Sequence, residues 1–192
     1  MSELDNIIEA IKKDYPEETK KGWSPILNVY EQSKILIIGQ APGLKTQLKN
    51  EVFKDQSGDR LRRWLNVNEE VFYHSKLISV LPLDFYFPGK GKTGDLPPNL
   101  DTTRKYHPNI IGQMKDLKLI ILLGSYAVNY YLKETKKKNV TETVSSYKDY
   151  LPTFFPLVHP SPLNQRWMAK NPWFISEVIP TLQEIVQNIL SE

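Results

Sequence analysis

Four short apolar runs, set far apart, constrain this chain more than any other feature: Ile35-Leu36-Ile37-Ile38, Leu77 to Leu81, Leu119 to Leu123 and Phe154 to Val158. Each is short, bounded by loop-forming residues and apolar without alternation, the pattern of a strand buried on both faces. Helix-length segments lie between them, among them Gly58 to Leu65, with Leu61, Trp64 and Leu65 facing inward, and Tyr126 to Leu132. Strands that alternate with helices pair in parallel and are covered on both sides. The expected fold is therefore α/β, a three-layer α/β/α sandwich around a central parallel sheet of about four strands. A length of 192 residues suits one domain, taken as residues 1–192.

Both ends read as packing elements. Leu4, Ile7, Ile8 and Ile11 recur at helical spacing behind Ser2 and Asp5, a capping pair. Ile175, Val178, Ile179, Leu182, Ile185, Val186, Ile189 and Leu190 form an apolar helical face, interrupted at Pro180. The opening residues are polar and acidic where an export signal would be basic and then apolar, and no apolar run approaches the ~20 residues of a membrane span. A cytoplasmic, monomeric protein without membrane contact is the expectation. The absence of cysteine excludes disulfides, thiolate zinc, iron–sulfur clusters and a cysteine nucleophile. His74, His107 and His159 are too scattered to argue for a metal site, so neither metal nor other cofactor is expected. The formal net charge of +3 is compatible with a polyanionic partner without requiring one. The densest basic run, Lys133 to Lys138, reads as a solvated helix end.

In open parallel sheets ligands sit beyond the carboxyl ends of the strands. The loops there are Gly39-Gln40-Ala41-Pro42-Gly43, Leu83 to Gly94, Gly124-Ser125-Tyr126 and His159-Pro160-Ser161-Pro162-Leu163-Asn164. In the first, two glycines and a proline around a glutamine let backbone amides approach a ligand, although a plain tight turn has the same composition. In the last, a histidine at a strand end is stiffened by prolines and followed by an exposed leucine candidate.

Together these loops resemble the two signature motifs of the uracil-DNA glycosylase superfamily: a glycine-rich G-Q-D-P-Y or G-E-A-P-G after the first core strand and H-P-S-P or H-P-S-A after the last. The segment Val52 to Leu61, VFKDQSGDRL, is similar to the aromatic, small-residue-glycine and helix stretch that lies between them. The resemblance spans about Lys34 to Trp173, with motifs in the family's order. It implies a DNA glycosylase that flips a damaged or deaminated base out of DNA and hydrolyses its N-glycosidic bond in base excision repair. Phe53 matches the stacking aromatic. Gln40 and the amides around Ala41 match the loop that meets base and sugar, and His159 the donor that stabilises the leaving base. Leu163 matches the wedge that fills the gap in the stack. Pro42, Gly43, Ser161, Pro162 and Asn164 belong to loops expected on the DNA.

The departures carry consequences. Ala41 stands where the most active members have a water-positioning aspartate, which implies slower turnover driven by departure of the base. No asparagine follows the second strand, and Asp84 is the nearest polar candidate for a base reader. If the chain is related to the G-E-A-P-G branch, it has dispensed with that branch's four cluster-binding cysteines. The alternative is a nucleic-acid-binding relative that has lost turnover.

Two other patterns fail. Pro88 to Gly94 contains Gly-Lys-Thr, but Tyr86 occupies the first glycine position of a phosphate loop, and Asp95-Leu96-Pro97-Pro98 follows where a helix should start. Ser125, Asp149 and His159 have the chain order of a hydrolase triad, but Ala127 stands where the nucleophile elbow needs glycine.

Overall fold

The computed structural model describes residues 2–192. The chain opens with α1 (Glu3–Asp14), started by the capping box read from the sequence: Ser2 Oγ accepts from the Asp5 amide and the Asp5 carboxylate from the Ser2 amide. A short α2 (Pro16–Lys20) and a loop lead to β1 (Ile35–Ile38), whose four side chains are fully buried. Then follow α3 (Leu44–Lys49), α4 (Gln56–Leu65), α5 (Glu69–His74), β2 (Ile78–Val80) and α6 (Leu100–Gly112). The second half runs β3 (Leu119–Leu123), α7 (Gly124–Tyr131), α8 (Val140–Ser145), β4 (Phe154–Leu157), α9 (Gln165–Lys170) and α10 (Ile179–Ser191).

The four expected strands form one all-parallel sheet in the order β2-β1-β3-β4. Ile37 pairs with Val80, Ile38 with Leu122 and Leu123 with Leu157. Successive strand residues point to opposite faces, so β1 divides its side chains between two cores. Ile35 and Ile37 pack with Leu61, Trp64 and Leu65 of α4 and with Leu182 and Val186 of α10. Leu36 and Ile38 pack with Ile7 and Ile11 of α1, Tyr106 and Ile110 of α6 and Val128 of α7. This is the α/β/α sandwich anticipated from the sequence.

Pro180 does not end the helical run: Phe174–Val178 form a π-helical turn that continues into α10, where Pro180 is the second residue and has no N–H to place in the ladder. The Lys133 to Lys138 run lies beyond α7, where Lys137 pairs with Asp149 at 2.7 Å and Lys136 donates to Asn129 at 2.7 Å.

Behind the sheet's carboxyl edge, His107 of α6 is buried, with Nε2 3.0 Å from the Pro82 carbonyl and Nδ1 2.6 Å from the Tyr131 hydroxyl. A carbonyl only accepts, so Nε2 carries the proton and Nδ1 accepts from Tyr131. Burial pushes its pKa down to about 4 from 6.5. Between these two values the unfolded chain binds the additional proton, so stability is complete above pH 6.5 and falls as the pH drops toward 4. Chemical denaturation across that range should show a loss of at most about 3 kcal/mol that is absent from His107→Phe. An identical pH dependence in that variant would refute the assignment.

Candidate active site

The loops after the strands converge on an open cleft of about 820 Å³. From the β1 side come Gly39, Gln40, Ala41, Pro42 and Gly43. Val80 and Pro82 come from the β2 side, and His159, Ser161 and Leu163 from the loop after β4. Phe53, Asp55 and Ser57 enter from the start of α4, Tyr126 from α7, and Lys90, Thr93 and Asp95 from the loop after β2.

The first and second of these walls are tied together by backbone hydrogen bonds beyond the strand ends. Past the last paired strand residues, Leu83 N–H donates to the Gly39 carbonyl at 3.0 Å and Asp84 N–H to the Gln40 carbonyl at 3.1 Å. The Pro82 carbonyl is turned away to His107. Gln40 is the side-chain amide at this edge, and the wall that Val80 and Pro82 contribute is apolar.

His159 is held from three sides. The Ser161 amide donates to Nδ1 at 3.2 Å, and Asn164 Nδ2 donates to the His159 carbonyl at 2.7 Å. Its Cβ also lies 3.4 Å from where a side chain on Gly124 would begin, at a position with φ +82°, a backbone region suited to glycine. An occupied Nδ1 acceptor leaves the proton of the neutral ring on Nε2. Burial lowers the His159 pKa, and the Asp55 charge pulls in the opposite direction. The cleft thus contains a neutral imidazole with one N–H still to donate.

Beyond His159, Ser161 Oγ accepts from the Leu163 amide at 3.2 Å and Pro162–Asn164 form a single 3₁₀ turn. Arg60 braces it, donating to the Ser161 carbonyl at 3.0 Å and to Gln165 at 3.1 Å. The turn presents Leu163 at the rim with 91% of its surface in water, by far the most exposed large apolar side chain among the described residues. An apolar side chain so exposed contributes no burial to folding.

Of the residues singled out from the sequence, Gln40, Ala41, Pro42, Gly43, Phe53, His159, Ser161 and Leu163 all line this cleft. Pro162 starts the 3₁₀ turn, and Asn164 lines an adjoining pocket of about 320 Å³ that shares Gln40, Tyr126 and His159 with the cleft. Asp84 does not join them. It is 3% exposed, and its carboxylate accepts from the Tyr15 hydroxyl at 2.6 Å and from the Asn99 amide at 2.8 Å, which makes it an anchor between α1 and α6 instead of a base reader. Asp55 was missed by the sequence reading. Its Oδ1 accepts from the Gly58 amide at 3.0 Å, capping α4, and the residue is exposed in the cleft. The aspartate ahead of Gln56-Ser57-Gly58 is legible as a helix cap, but only the fold brings its carboxylate into the same cleft as His159. The Gly-Lys-Thr segment is a turn closed by a Lys90–Asp95 bridge, with Lys90 and Asp95 paired at 2.6 Å. Among the described residues no three His, Cys, Asp or Glu side chains converge as a metal site, and no helix is long and apolar enough to cross a membrane.

A parallel α/β sandwich with a cleft at the carboxyl ends of its strands has the architecture in which open α/β sheets place their ligand sites. The chain is a member of the uracil DNA glycosylase superfamily, whose family model matches residues 27–183. It is similar to a solution NMR structure of a candidate uracil DNA glycosylase from Methanosarcina acetivorans, at 17% identity and a TM-score of 0.46, over 82% of this chain and 93% of that one.

Proposed function

We propose that this protein is a monofunctional DNA glycosylase, which hydrolyses the N-glycosidic bond of uracil or a related deaminated base flipped out of DNA for base excision repair. The observation that carries this reading is the convergence, in one cleft, of a neutral His159 with Nε2–H to donate, the Phe53 ring and an almost fully exposed Leu163.

The extruded base stacks on Phe53, with Gln40 and the backbone around Ala41 meeting base and sugar. As the bond between C1′ and the base nitrogen breaks, its electron pair passes to the base, and His159 Nε2–H donates to the base oxygen where negative charge accumulates. Hydrogen bonds that strengthen as charge develops lower the barrier, whereas equal binding of ground and transition states would not. Water then attacks C1′ and transfers a proton to the Asp55 carboxylate, and the departing base takes a proton from solvent. Asp55 thereby supplies the carboxylate that Ala41 lacks. Pro42, Gly43, Ser161 and Pro162 lie on the DNA backbone, while Leu163 fills the vacated place in the stack.

The apolar wall of Val80 and Pro82 supports selection by shape and by Gln40 in place of an asparagine. Single-turnover assays on oligonucleotides holding uracil, hypoxanthine, xanthine or thymine opposite each base test the reading. An abasic product names the base. Binding without product at enzyme excess would instead support the non-catalytic relative, a reading that the alanine at position 41 favours. Leu163→Ala is expected to slow cleavage in duplex by about tenfold and in single strands by less than threefold, since only a duplex has a gap to hold open. Equal losses on both substrates would contradict the wedge role.

A further inference from the structure

We propose that Tyr73 and Arg62 are positioning residues for the base site, clamping the Phe53 carbonyl so that Phe53 stays in a left-handed backbone conformation with its ring at the cleft. The inference rests on the reading of Phe53 as the stacking aromatic.

Phe53 has φ +52°, a region that bulky L-residues avoid because Cβ crowds the backbone. Such a conformation persists where the surroundings over-determine it, and it clusters at ligand sites. Here the surroundings are visible. The Phe53 carbonyl accepts from the Tyr73 hydroxyl at 2.7 Å and from Arg62 Nη1 at 3.2 Å, while the same Nη1 lies 2.8 Å from the Tyr73 oxygen. Arg62 is 7% exposed and is itself fixed by Asp59 at 2.5 Å and Glu69 at 3.3 Å. Burial raises the Tyr73 pKa to about 12, so the phenol keeps its proton and remains a donor throughout the neutral range. On the opposite side the carbonyl presses against Gly58, leaving no room for a side chain there.

None of these groups lines the cleft except through Phe53. A buried arginine with two carboxylate partners and a shared phenol is an expensive way to pack a surface loop. It is well suited to freezing one backbone carbonyl. The ring that follows from that carbonyl's orientation then meets the base without first having to find its conformation, so its ordering cost is met in folding instead of in binding.

The test is a double-mutant cycle on Tyr73→Phe, Phe53→Ala and the double variant, read as affinity for a single-stranded oligonucleotide containing 2′-fluoro-2′-deoxyuridine, whose glycosidic bond resists cleavage. Tyr73→Phe should weaken binding by about fivefold and Phe53→Ala by about tenfold, with the double variant no weaker than Phe53→Ala alone. Losses that multiply in the double variant would overturn the proposal. Without ligand, the Phe53 Cα and carbonyl chemical shifts should leave their left-handed values in Tyr73→Phe while melting changes little, and unchanged shifts would equally overturn it. Failure of the wild type to cleave any base rejects the glycosylase reading alone, because both readouts are independent of turnover. Failure of the wild type to bind the fluorinated strand rejects the stacking role of Phe53 and this proposal with it.

Discussion

His159→Ala is expected to lower the single-turnover rate of base release by about a hundred- to a thousandfold, while affinity for the uncleaved strand should change by less than about threefold. The size follows from the role proposed for the side chain at each stage. Before the bond breaks, the base oxygen is a neutral acceptor that water satisfies almost as well as imidazole. As the bond breaks, the oxygen becomes anionic inside a cleft, where a donor aimed in advance is worth far more than one in water. The Ser161 amide on Nδ1 and the Asn164 amide on the backbone carbonyl fix both the tautomer and the direction of that donor. His159→Gln, which restores an N–H on a floppier stem, is expected to recover part of the rate. A rate and an affinity that fall together in His159→Ala would mean that the residue binds the ground state and does no more.

Gly58→Ala is expected to destabilise the protein by about 4 kcal/mol and to lower its melting temperature by about 8–16 °C. Position 58 lies in α4, where alanine ordinarily favours the helix. An added Cβ, however, would stand 1.7 Å from the Phe53 carbonyl oxygen, a backbone atom already gripped by Tyr73 and Arg62, so neither side can yield cheaply. Gly112→Ala is the control. It ends α6 with open space around the new methyl group, and it should be neutral or slightly stabilising. Equal melting of Gly58→Ala and Gly112→Ala would remove the steric argument.

The sheet was legible because its strands are apolar on both faces, a pattern that alternating surface strands do not share. Ile35 to Ile38 reads as a central strand from composition alone, and it is one. Cleft residues carried by the two strand-end motifs were legible too, since a strand and a short loop determine where Gln40 and His159 lie. Asp84 was misread because its partners are remote: Tyr15 lies 69 residues away in sequence and Asn99 15 residues away, and no local pattern announces either bond. Asp55 was hidden differently. As a helix cap its local job is complete, so nothing in the sequence marks a second use for its carboxylate. The left-handed turn at Phe53 escaped notice because its cause is also distributed, over α4 and α5.

The hydrogen bonds from Leu83 and Asp84 to the carbonyls of Gly39 and Gln40 have a mechanical consequence. They tie the two inner walls of the cleft together by backbone bonds that continue past the last paired strand residues. The facing side, formed by the loop carrying His159 and Leu163 and the start of α4, is tied by side-chain bonds instead, from Arg60 to the Ser161 carbonyl and from Asn164 to the His159 carbonyl. The Gly39 and Gln40 carbonyls are thus already engaged inside the wall before any ligand enters the cleft.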